Sequence, residues 1–337
     1  MYNNMKIAII GCGLIGQKRA NAIHALNNDA NLIACVDVNI VRANQLASHY
    51  ANCSAYDNHI EMLEKSKPDV VIIATTHESL AILCEDVIKA GKHVFLEKPG
   101  ARNSAEISHL IKLAEKYDVR VGLGFNHRHH RAFQKAKEII NQGAIGELMF
   151  IRARYGHGGR IGYEKEWRAN PILSGGGELI DQGVHLIDLS RWFLGEFTNV
   201  QGFSHTYYWN MPVEDNGFLL LKTAKKQVAF LHASCTEWKN TFSFEIYGRD
   251  GKLHVNGLGG SYGTETLSYY KMLPEMGPPE TIVYEYPMAD NSWTLDIENF
   301  LNDIKKNQFV SPNLHDAFQA LIIVEKIYQE SSHDCYA

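Results

Sequence analysis

The sequence predicts an α/β fold, with a doubly wound parallel sheet in the amino-terminal part and a strand-rich second domain after it. Three observations predict this fold. Through the first 124 residues, short predicted strands are separated by helices of roughly ten to fifteen residues, which is the pattern of βαβ units. The run VVIIA at 70–74 is apolar on both faces, as expected of a strand covered by helices on both sides. A glycine-rich turn, GCGLIG, joins the first strand to the first helix.

Composition and charge exclude several classes of protein. The 337 residues are enough for two domains, and 45% hydrophobic with 21% charged residues argues against a disordered chain. The net charge of −5 gives no global basic footprint, so no nucleic-acid partner is expected. No apolar run approaches the roughly 20 residues that span a bilayer, and the amino terminus has no secretory leader pattern. We therefore expect a cytoplasmic protein without a membrane partner.

The cysteines fit the same interpretation. The chain has six cysteines, the last of which is Cys335. No two of them have the spacing C-x-x-C, and no set of cysteines and histidines has zinc-finger spacing. Three histidines at 127, 129 and 130 are so close in sequence that they cannot all face one ion. We therefore expect reduced, mostly buried thiols and no metal site.

The individual elements follow from local patterns. The first strand is the short β-branched run Met5–Ile10, and a helix over Ser79–Ala90 ends at Gly91, a C-cap signal. Asp250-Gly251 is a hairpin signal in the second domain. Further strands are predicted at Asn31–Val36, Asp69–Ala74, His93–Glu97, Val119–Gly124, Leu148–Tyr155 and between Asn199 and Tyr286. Further helices are predicted at Val41–Tyr50, Ser104–Tyr117, Arg131–Asn141, Glu178–Leu194, Asp296–Lys306 and Asn313–Glu330.

The glycine-rich turn has the spacing of a dinucleotide site. Gly11 lets the chain turn sharply off the strand, Gly13 leaves room for a pyrophosphate, and Gly16 lets the helix pack closely. Leu14 and Ile15 open the helix, whose free N–H groups and positive dipole end face the phosphates. These five residues are therefore assigned to the cofactor.

Asp37 ends the second strand, 21 residues after Gly16. A carboxylate at this spacing typically binds the adenosine ribose hydroxyls, and it would repel a 2′-phosphate. The following Val38-Asn39 supplies no cation. Arg42 lies one helical turn further and could reach a phosphate, but we favour a solvated helix position for it. The sequence thus predicts NAD, with NADP as the less favoured cofactor.

Several motifs occur together and in a fixed order. They are GCGLIG at 11–16, the acid Asp37, AGKHVFLEKP at 90–99, Asn126 with Arg128, Gly143-x-x-Gly146, Gly175-Gly176-Gly177 and Asp181-x-x-x-His185. Over nearly the whole chain, this set resembles the glucose-fructose oxidoreductase/inositol dehydrogenase family, written Gfo/Idh/MocA. Any one of the motifs would be weak, whereas the ordered set is specific.

The resemblance implies a Rossmann domain at 1–124 and an α+β domain with a large open, mostly antiparallel sheet at 125–337. It also implies hydride transfer between NAD(P) and a carbinol of a sugar, cyclitol or nucleotide-sugar. The family's catalytic lysine, aspartate and histidine match Lys98, Asp181 and His185. Asn126 and Arg128 match the family's pattern near the hinge, and we assign Asn126 to the cofactor and Arg128 to the substrate.

These residue types suit the chemistry. Oxidation of a carbinol also removes the hydroxyl proton, and histidine is a base with a pKa near neutrality. A lysine cation can stabilise the developing alkoxide. Asp181 and His185 are four residues apart on the predicted helix, so they share a face, and Asp181 could orient the imidazole or contact the substrate hydroxyl. His185 is the first choice for the proton acceptor and Lys98 the second.

Further cofactor contacts are assigned after two strands. Lys98 follows the fourth predicted strand, where open α/β sheets bind ligands, and Glu97 and Lys98 are both assigned to the cofactor. We expect a cis bond between Lys98 and Pro99. Many relatives have Pro-Asn after the third predicted strand, where this chain has Thr75-Thr76; backbone contact with the cofactor can persist there.

The segment before the predicted catalytic helix is glycine-rich, aromatic and cationic. Arg160, Trp167 and Arg168 are assigned to the substrate, because aromatic rings cover the apolar face of a sugar and arginine binds oxyanions. The three glycines at 175–177 are interpreted as a flexible turn before the helix. The predicted substrate is a small polyol, sugar or nucleotide-sugar.

Two further expectations concern assembly and competing activities. Aromatic and β-branched residues on the outer face of the carboxy-terminal sheet predict a homodimer or homotetramer. Two other functions remain open. One is a glycosidase that retains NAD through transient oxidation and elimination, and the other is a non-enzymatic dinucleotide-binding regulator.

Overall fold

The structure is a computed structural model that describes residues 4–26, 30–275 and 277–333. The chain divides into two compact units, Met1–Asn126 with Trp293–Gln319, and His127–Ser292 with Ala320–Ala337. The division predicted between residues 124 and 125 lies close to the point where the chain first leaves the first unit. The prediction did not include segment 293–319, which belongs to the first unit again. That return has a physical cause, because Phe300, Leu301 and Ile304 are buried in the apolar core of the first unit.

The first unit contains a parallel sheet with six strands among the described residues, in the order β3-β2-β1-β4-β5-β6. The strands are β1 Met5–Ile10, β2 Ala30–Val36, β3 Ser54–Tyr56, β4 Val70–Ile73, β5 His93–Leu96 and β6 Val121–Leu123. The strand order reverses between β1 and β4, and ligands of such sheets bind at the carboxyl ends beside this switch point. The doubly wound parallel sheet predicted from the sequence is confirmed.

The helices of the first unit follow the strands. They are α1 Leu14–Ala25, α2 Ile40–Ala47, α3 His59–Ser66, α4 His77–Lys89 and α5 Ser104–Tyr117. The sequence prediction lacked β3 and α3, because a three-residue edge strand carries too little periodicity to recognise. It also extended α2 to Tyr50, whereas the helix ends at Ala47.

The second unit contains a sheet with eight strands among the described residues, in the order β14-β13-β12-β11-β7-β10-β9-β8. The strands are β7 Leu148–Gly156, β8 Phe197–His205, β9 Asn216–Thr223, β10 Val228–Ser234, β11 Thr241–Gly248, β12 Gly251–Asn256, β13 Glu265–Lys271 and β14 Glu280–Tyr286. Every neighbouring pair is antiparallel except β7 with β10. The mostly antiparallel open sheet is therefore also confirmed.

One predicted helix differs at its first turn. The segment predicted as a helix over Glu178–Leu194 begins with a π-helical turn at Leu179–Gly183, and the α-helix α8 covers only Val184–Leu194. Residues four apart do not stack directly across a π turn, so the face argument for Asp181 and His185 does not apply there. The remaining helices are α6 Arg131–Asn141, α7 Pro171–Ser174, α9 Ser292–Lys305 and α10 Leu314–His333.

Two sequence expectations can be compared directly with the described residues. Among them, no helix is long and apolar enough to cross a membrane. The five described cysteines are free thiols, and Cys335 lies outside the described residues.

Candidate functional site

The glycine-rich turn has a backbone that only glycine can form. Gly11 has a φ of +96°, and a Cβ there would lie 2.4 Å from the carbonyl oxygen of Ala74. A Cβ on Gly16 would lie 1.9 Å from the carbonyl oxygen of Gly11. Above Gly13, by contrast, no atom of the described residues lies within 4 Å of the Cβ position. The turn is thus closed on its protein side and open where a pyrophosphate would approach the first turn of α1.

Asp37 joins the end of β2 to this turn. Its Oδ2 accepts a hydrogen bond from the backbone N–H of Cys12, and its Oδ1 accepts one from Asn39, both at 2.9 Å. Each carboxylate oxygen keeps a further lone pair for a ribose hydroxyl. The arrangement fits the adenosine side of a dinucleotide, and the ribose contact itself stays a prediction.

Arg42 lies beside the same turn. It is exposed, and together with Cys12 and Gly13 it lines a groove of about 570 Å³ between α1 and α2. The side chain therefore lies in a solvated helix position, as favoured from the sequence, and also lines the same groove as the glycine-rich turn. This placement makes Arg42 the cation to test for any residual affinity for NADP.

Thr75 and Thr76 follow β4 at the carboxyl edge of the sheet. Thr76 is the N-cap residue of α4, and Ser79 Oγ donates to Thr75 Oγ1 at 2.8 Å. The methyl carbon Cγ2 of Thr75 lies 3.0 Å from the Cβ position of Gly11. Both threonines are thus placed beside the glycine-rich turn, and their contact with the cofactor stays a prediction.

Glu97 belongs to a buried ionic network within the first unit. The fully buried Arg19 donates from Nε to Glu97 Oε1 at 2.5 Å and from Nη1 to Asp296 Oδ2 at 2.9 Å. The guanidinium also lies 4.5 Å from the ring centroid of Phe95. Glu97 therefore fixes the end of β5 against α1, immediately before Lys98, whereas its assigned contact with the cofactor stays a prediction. The Lys98–Pro99 bond is cis, as expected.

His185 lies on α8 in the second unit and is buried. Its ring stacks on that of His127, with centroids 3.9 Å apart and an interplanar angle of 17°. Tyr155 contacts His185 edge-on at 6.2 Å between ring centroids. The imidazole therefore contacts a ring on each of two sides. One of these rings, His127, belongs to the histidine-rich segment in which the sequence analysis expected no metal site. His127 belongs to a 3₁₀ turn, Asn126–His129, whose first residue is the predicted cofactor ligand.

Asp181 lies in the π turn and forms an ion pair with a predicted substrate residue. Arg168 Nε donates to Asp181 Oδ2 at 2.9 Å, and the Arg168 guanidinium lies 4.6 Å from the ring centroid of Trp167. Burial lowers the pKa of Arg168, but the charge of Asp181 outweighs it and the pKa is raised. The structure therefore brings together three residues that the sequence assigned separately to catalysis and substrate.

A second polar group lies beside this pair. The phenol of Tyr163 donates to Oε1 of the buried Glu178 at 2.5 Å, and His157 Nε2 lies 3.4 Å from the same oxygen. Burial alone would lower the pKa of His157, but Glu178 raises it above the ordinary value. The sequence analysis did not assign Tyr163 or Glu178 to the site. Tyr163 lies four residues before the assigned Trp167, and Glu178 lies three residues before the assigned Asp181. Their aromatic and acidic character was the only signal available.

The other two arginines assigned to substrate have protein partners. Arg128 Nε donates to Asp188 Oδ2 at 2.8 Å, and both side chains are buried. Arg160 is exposed and lies 2.7 Å from a carboxylate oxygen of Glu166. Substrate contact by either arginine stays a prediction.

Glu214 holds the segment that precedes α8. Its Oε2 accepts from the backbone N–H of Gly177 and its Oε1 from Leu179, both at 2.9 Å, and Tyr328 donates its phenol proton at 2.8 Å. A Cβ on Gly176 would lie 2.0 Å from the Tyr328 oxygen, and one on Gly177 would lie 1.9 Å from the Glu214 carbonyl oxygen. Gly176 and Gly177 therefore lie too close to their neighbours to carry side chains, a packing role that the interpretation of 175–177 as a flexible turn did not include. Glu214 therefore binds two backbone N–H groups at the start of the π-helical turn.

Glu214 makes the stability of the second unit depend on pH. Burial raises its pKa from near 4.5 to about 7, although the Tyr328 hydrogen bond opposes the shift. The folded protein keeps a proton that the unfolded chain releases, so its contribution is fully present below about pH 4.5 and lost by pH 7. We expect the free energy of unfolding to fall by about 3 kcal/mol across this window from Glu214 alone. Urea unfolding at several pH values measures it.

The control for this experiment is a pair of glutamine variants. Glu214→Gln cannot titrate and should lack this part of the slope. Glu138→Gln, at a position that is exposed on α6, should keep the wild-type slope. Equal slopes for Glu214→Gln and the wild-type protein would contradict the assignment.

These features define a class of protein. A glycine-rich turn with the geometry of a dinucleotide-binding site lies in the doubly wound unit, and a cluster of ionisable side chains lies in the α+β unit. Residues 5–125 match the family model described as "Oxidoreductase family, NAD-binding Rossmann fold", and residues 133–254 match the "GFO/IDH/MocA C-terminal domain". The chain therefore belongs to the Gfo/Idh/MocA family, and its amino-terminal unit is an NAD-binding Rossmann domain.

Two curated dehydrogenases are similar to this chain over part of their length. D-glucoside 3-dehydrogenase of Escherichia coli is 32% identical over 193 residues, which are 57% of this chain and 54% of that protein. Myo-inositol 2-dehydrogenase of Thermotoga maritima is 33% identical over 197 residues, covering 57% and 55%. The matches thus span about half the length of these relatives.

A solved structure covers more of the fold. Levoglucosan dehydrogenase in complex with NADH and levoglucosan superposes with a TM-score of 0.87, covering 97% of this chain and 98% of that one. The sequence identity is 22%, so the likeness concerns the fold. The described part of the chain contains no group of three or more histidine, cysteine, aspartate or glutamate side chains arranged for a metal ion.

Proposed function

We propose that the protein is an oxidoreductase that transfers a hydride between NAD and a carbinol of a sugar, cyclitol or nucleotide-sugar. The observation that carries the proposal is the buried Asp181, ion-paired with the half-buried Arg168, together with the buried His185, in a chain whose other unit has an open dinucleotide turn. When bound, NAD supplies the nicotinamide carbon that accepts or donates the hydride. The protein's side chains must then bind the carbinol and move its hydroxyl proton.

We assign three roles to the proposed catalytic residues. His185 takes the hydroxyl proton, which is the role of a general base. The Lys98 cation stabilises negative charge on the substrate oxygen. Asp181 binds a substrate hydroxyl, and its ion pair with Arg168 keeps the carboxylate in place.

The substrate class follows from the chemistry around Asp181. Arg168 and Trp167 place a cation and an aromatic ring side by side, and Glu178 with Asp181 adds carboxylate acceptors. Polyhydroxylated rings bind to such mixtures, because acceptors bind the hydroxyls and an aromatic ring covers the apolar face. The named relatives act on a glucoside and on myo-inositol, which supports the same class.

A screen for NADH formation tests the proposal. The purified protein is mixed with NAD and with cyclitols, free sugars, sugar acids, glycosides or nucleotide-sugars, and absorbance of NADH is followed. We expect turnover with at least one member of the set. Silence across the set with tightly retained NAD and release of an aglycone would favour the glycosidase. Silence with NAD binding alone would favour the regulator.

We expect NAD to be preferred over NADP in the same assay. Asp37 is held by two backbone N–H groups at the end of β2 and would repel a 2′-phosphate. The ratio of kcat/KM with NAD to kcat/KM with NADP measures the preference. Asp37→Ala should reduce that ratio, and Arg42→Ala should increase it. A wild-type ratio that favours NADP would contradict the prediction.

We propose that copies of the chain associate through the outer face of the second sheet. Leu220 on β9 and Phe230 on β10 are direct cross-strand partners, and both are exposed. Together with the exposed Phe203 they line a depression of about 570 Å³. A continuous apolar patch on a sheet is typical of interfaces between identical chains.

Light scattering after size-exclusion chromatography tests the association. The wild-type protein should elute as a dimer or tetramer, and Phe230→Glu should shift it toward the monomer. Phe309→Glu is the matched control, because Phe309 is an exposed aromatic residue of the other unit. A monomeric wild-type protein would overturn the proposal.

We also propose a cytoplasmic location. The support is chemical, because the five described cysteines are free thiols and oxidising compartments favour disulfides. Fractionation of source cells with an antibody tests this location, and recovery from the extracellular fraction would contradict it.

A further inference from the structure

Three cysteine thiols form a row in the first unit. Cys12 lies in the glycine-rich turn, Cys35 lies near the end of β2, and Cys53 immediately precedes β3. The Sγ atoms of Cys35 and Cys53 are 3.6 Å apart, and the thiol of Cys12 donates to the carbonyl oxygen of Val36, the residue after Cys35, at 3.4 Å. None of these thiols has been used in the proposed reaction.

The two members of the close pair have different surroundings. Cys35 is fully buried in the core of the sheet, whereas Cys53 is partly exposed and lies just outside the regular β2–β3 ladder. The hydrogen bond from Cys35 lowers the pKa of the Cys53 thiol, whereas the neighbouring Cys12 and Cys53 thiols together with burial raise the pKa of Cys35. A thiol that is both more acidic and more accessible reacts first with an oxidant.

We propose that Cys53 and Cys35 are a redox-modification site that a hydroperoxide converts to a disulfide. The Cys53 thiolate attacks the O–O bond of the peroxide, forms Cys53–SOH and releases hydroxide or an alkoxide. The Cys35 sulfur then attacks the sulfenic sulfur, and the S–O bond breaks as water leaves with the Cys35 proton. The two thiols lose two electrons, which reduce the peroxide.

The position of the pair allows this reaction with small movements. The sulfur atoms must approach from 3.6 Å to about 2 Å, and Cys53 lies at the end of a turn rather than inside a strand. Its backbone N–H donates only to Tyr50 within that turn. The bond would form two residues before Asp37, on the strand that carries the proposed ribose ligand.

Mass spectrometry of the whole chain tests the site without any assay of activity. The reduced protein is treated with hydrogen peroxide, alkylated and digested without reductant. Before alkylation we expect the intact protein to lose about 2 Da, and after digestion we expect a cross-linked peptide pair containing Cys35 and Cys53 that dithiothreitol separates.

Three serine variants make the test specific. Cys53→Ser should abolish the cross-link, Cys35→Ser should leave a Cys53 sulfenic acid that dimedone traps, and Cys12→Ser should keep the cross-link. Absence of the Cys35–Cys53 peptide from the folded wild-type protein would overturn the proposal. A cross-link from Cys12 to Cys35 in its place would also overturn it. Unchanged circular dichroism of each variant establishes that it is folded.

Discussion

Replacing His185 with alanine is expected to lower kcat/KM for carbinol oxidation by about 10²–10⁴-fold, because the group proposed to take the hydroxyl proton is lost. The imidazole is buried and stacked on His127, so the protein fixes its position before a substrate binds. Lys98→Ala should also reduce turnover by orders of magnitude, because the cation proposed to stabilise the substrate oxygen would be lost. Steady-state kinetics at saturating NAD measure both effects.

Two controls separate this loss from misfolding. His109→Ala is a matched variant, because His109 is an exposed histidine on α5 that bonds to Glu85; it should keep full activity. NAD affinity should survive in His185→Ala, while the acidic limb of the pH–rate profile should change. A His185→Ala variant with wild-type turnover would exclude the histidine as the base.

Replacing Arg19 with alanine is expected to destabilise the first unit by about 3–5 kcal/mol. Arg19 is fully buried, and its removal would take the guanidinium away from the buried carboxylates of Glu97 and Asp296. Breaking a buried ion pair costs more than the pair contributed, because a charge without a partner remains out of water. Urea unfolding of the wild-type and variant proteins measures the difference.

The matched control is Lys65→Ala, which removes the exposed ion pair with Glu61 on α3. That variant should unfold at nearly the wild-type urea concentration, because solvent screens exposed pairs. Adding Glu97→Gln to Arg19→Ala should recover part of the lost stability. If Arg19→Ala unfolded like the wild-type protein, the network would not stabilise the unit.

The first unit was predictable because its signals are local. Short apolar strands and helices of ordinary length determine a parallel sheet, and Gly11, Gly13 and Gly16 mark the turn off β1. The failures were local as well. The edge strand β3 is three residues long, and the last residues before Tyr50 continue a helical pattern without forming helix.

The candidate site was predictable residue by residue but not as an arrangement. Arg168 and Asp181 were both selected from motifs, yet their ion pair was not foreseen. Glu214 was not selected at all, although it binds the backbone before α8 and leaves no room for a side chain at Gly177. No spacing rule connects a glutamate on one segment with amide groups on another.

The sequence by itself determined the parallel sheet and the glycine-rich turn, because spacing and periodicity act over short stretches of chain. Its ordered motifs also carried the family resemblance, which implied the antiparallel sheet and the proposed catalytic side chains. The tertiary structure alone decided what those side chains contact. Gly177 and Glu214 are 37 residues apart, Arg19 and Glu97 are 78 apart, and Arg19 and Asp296 are 277 apart. The free energy of a buried charge depends on the groups around it, and only the folded chain brings such distant groups together.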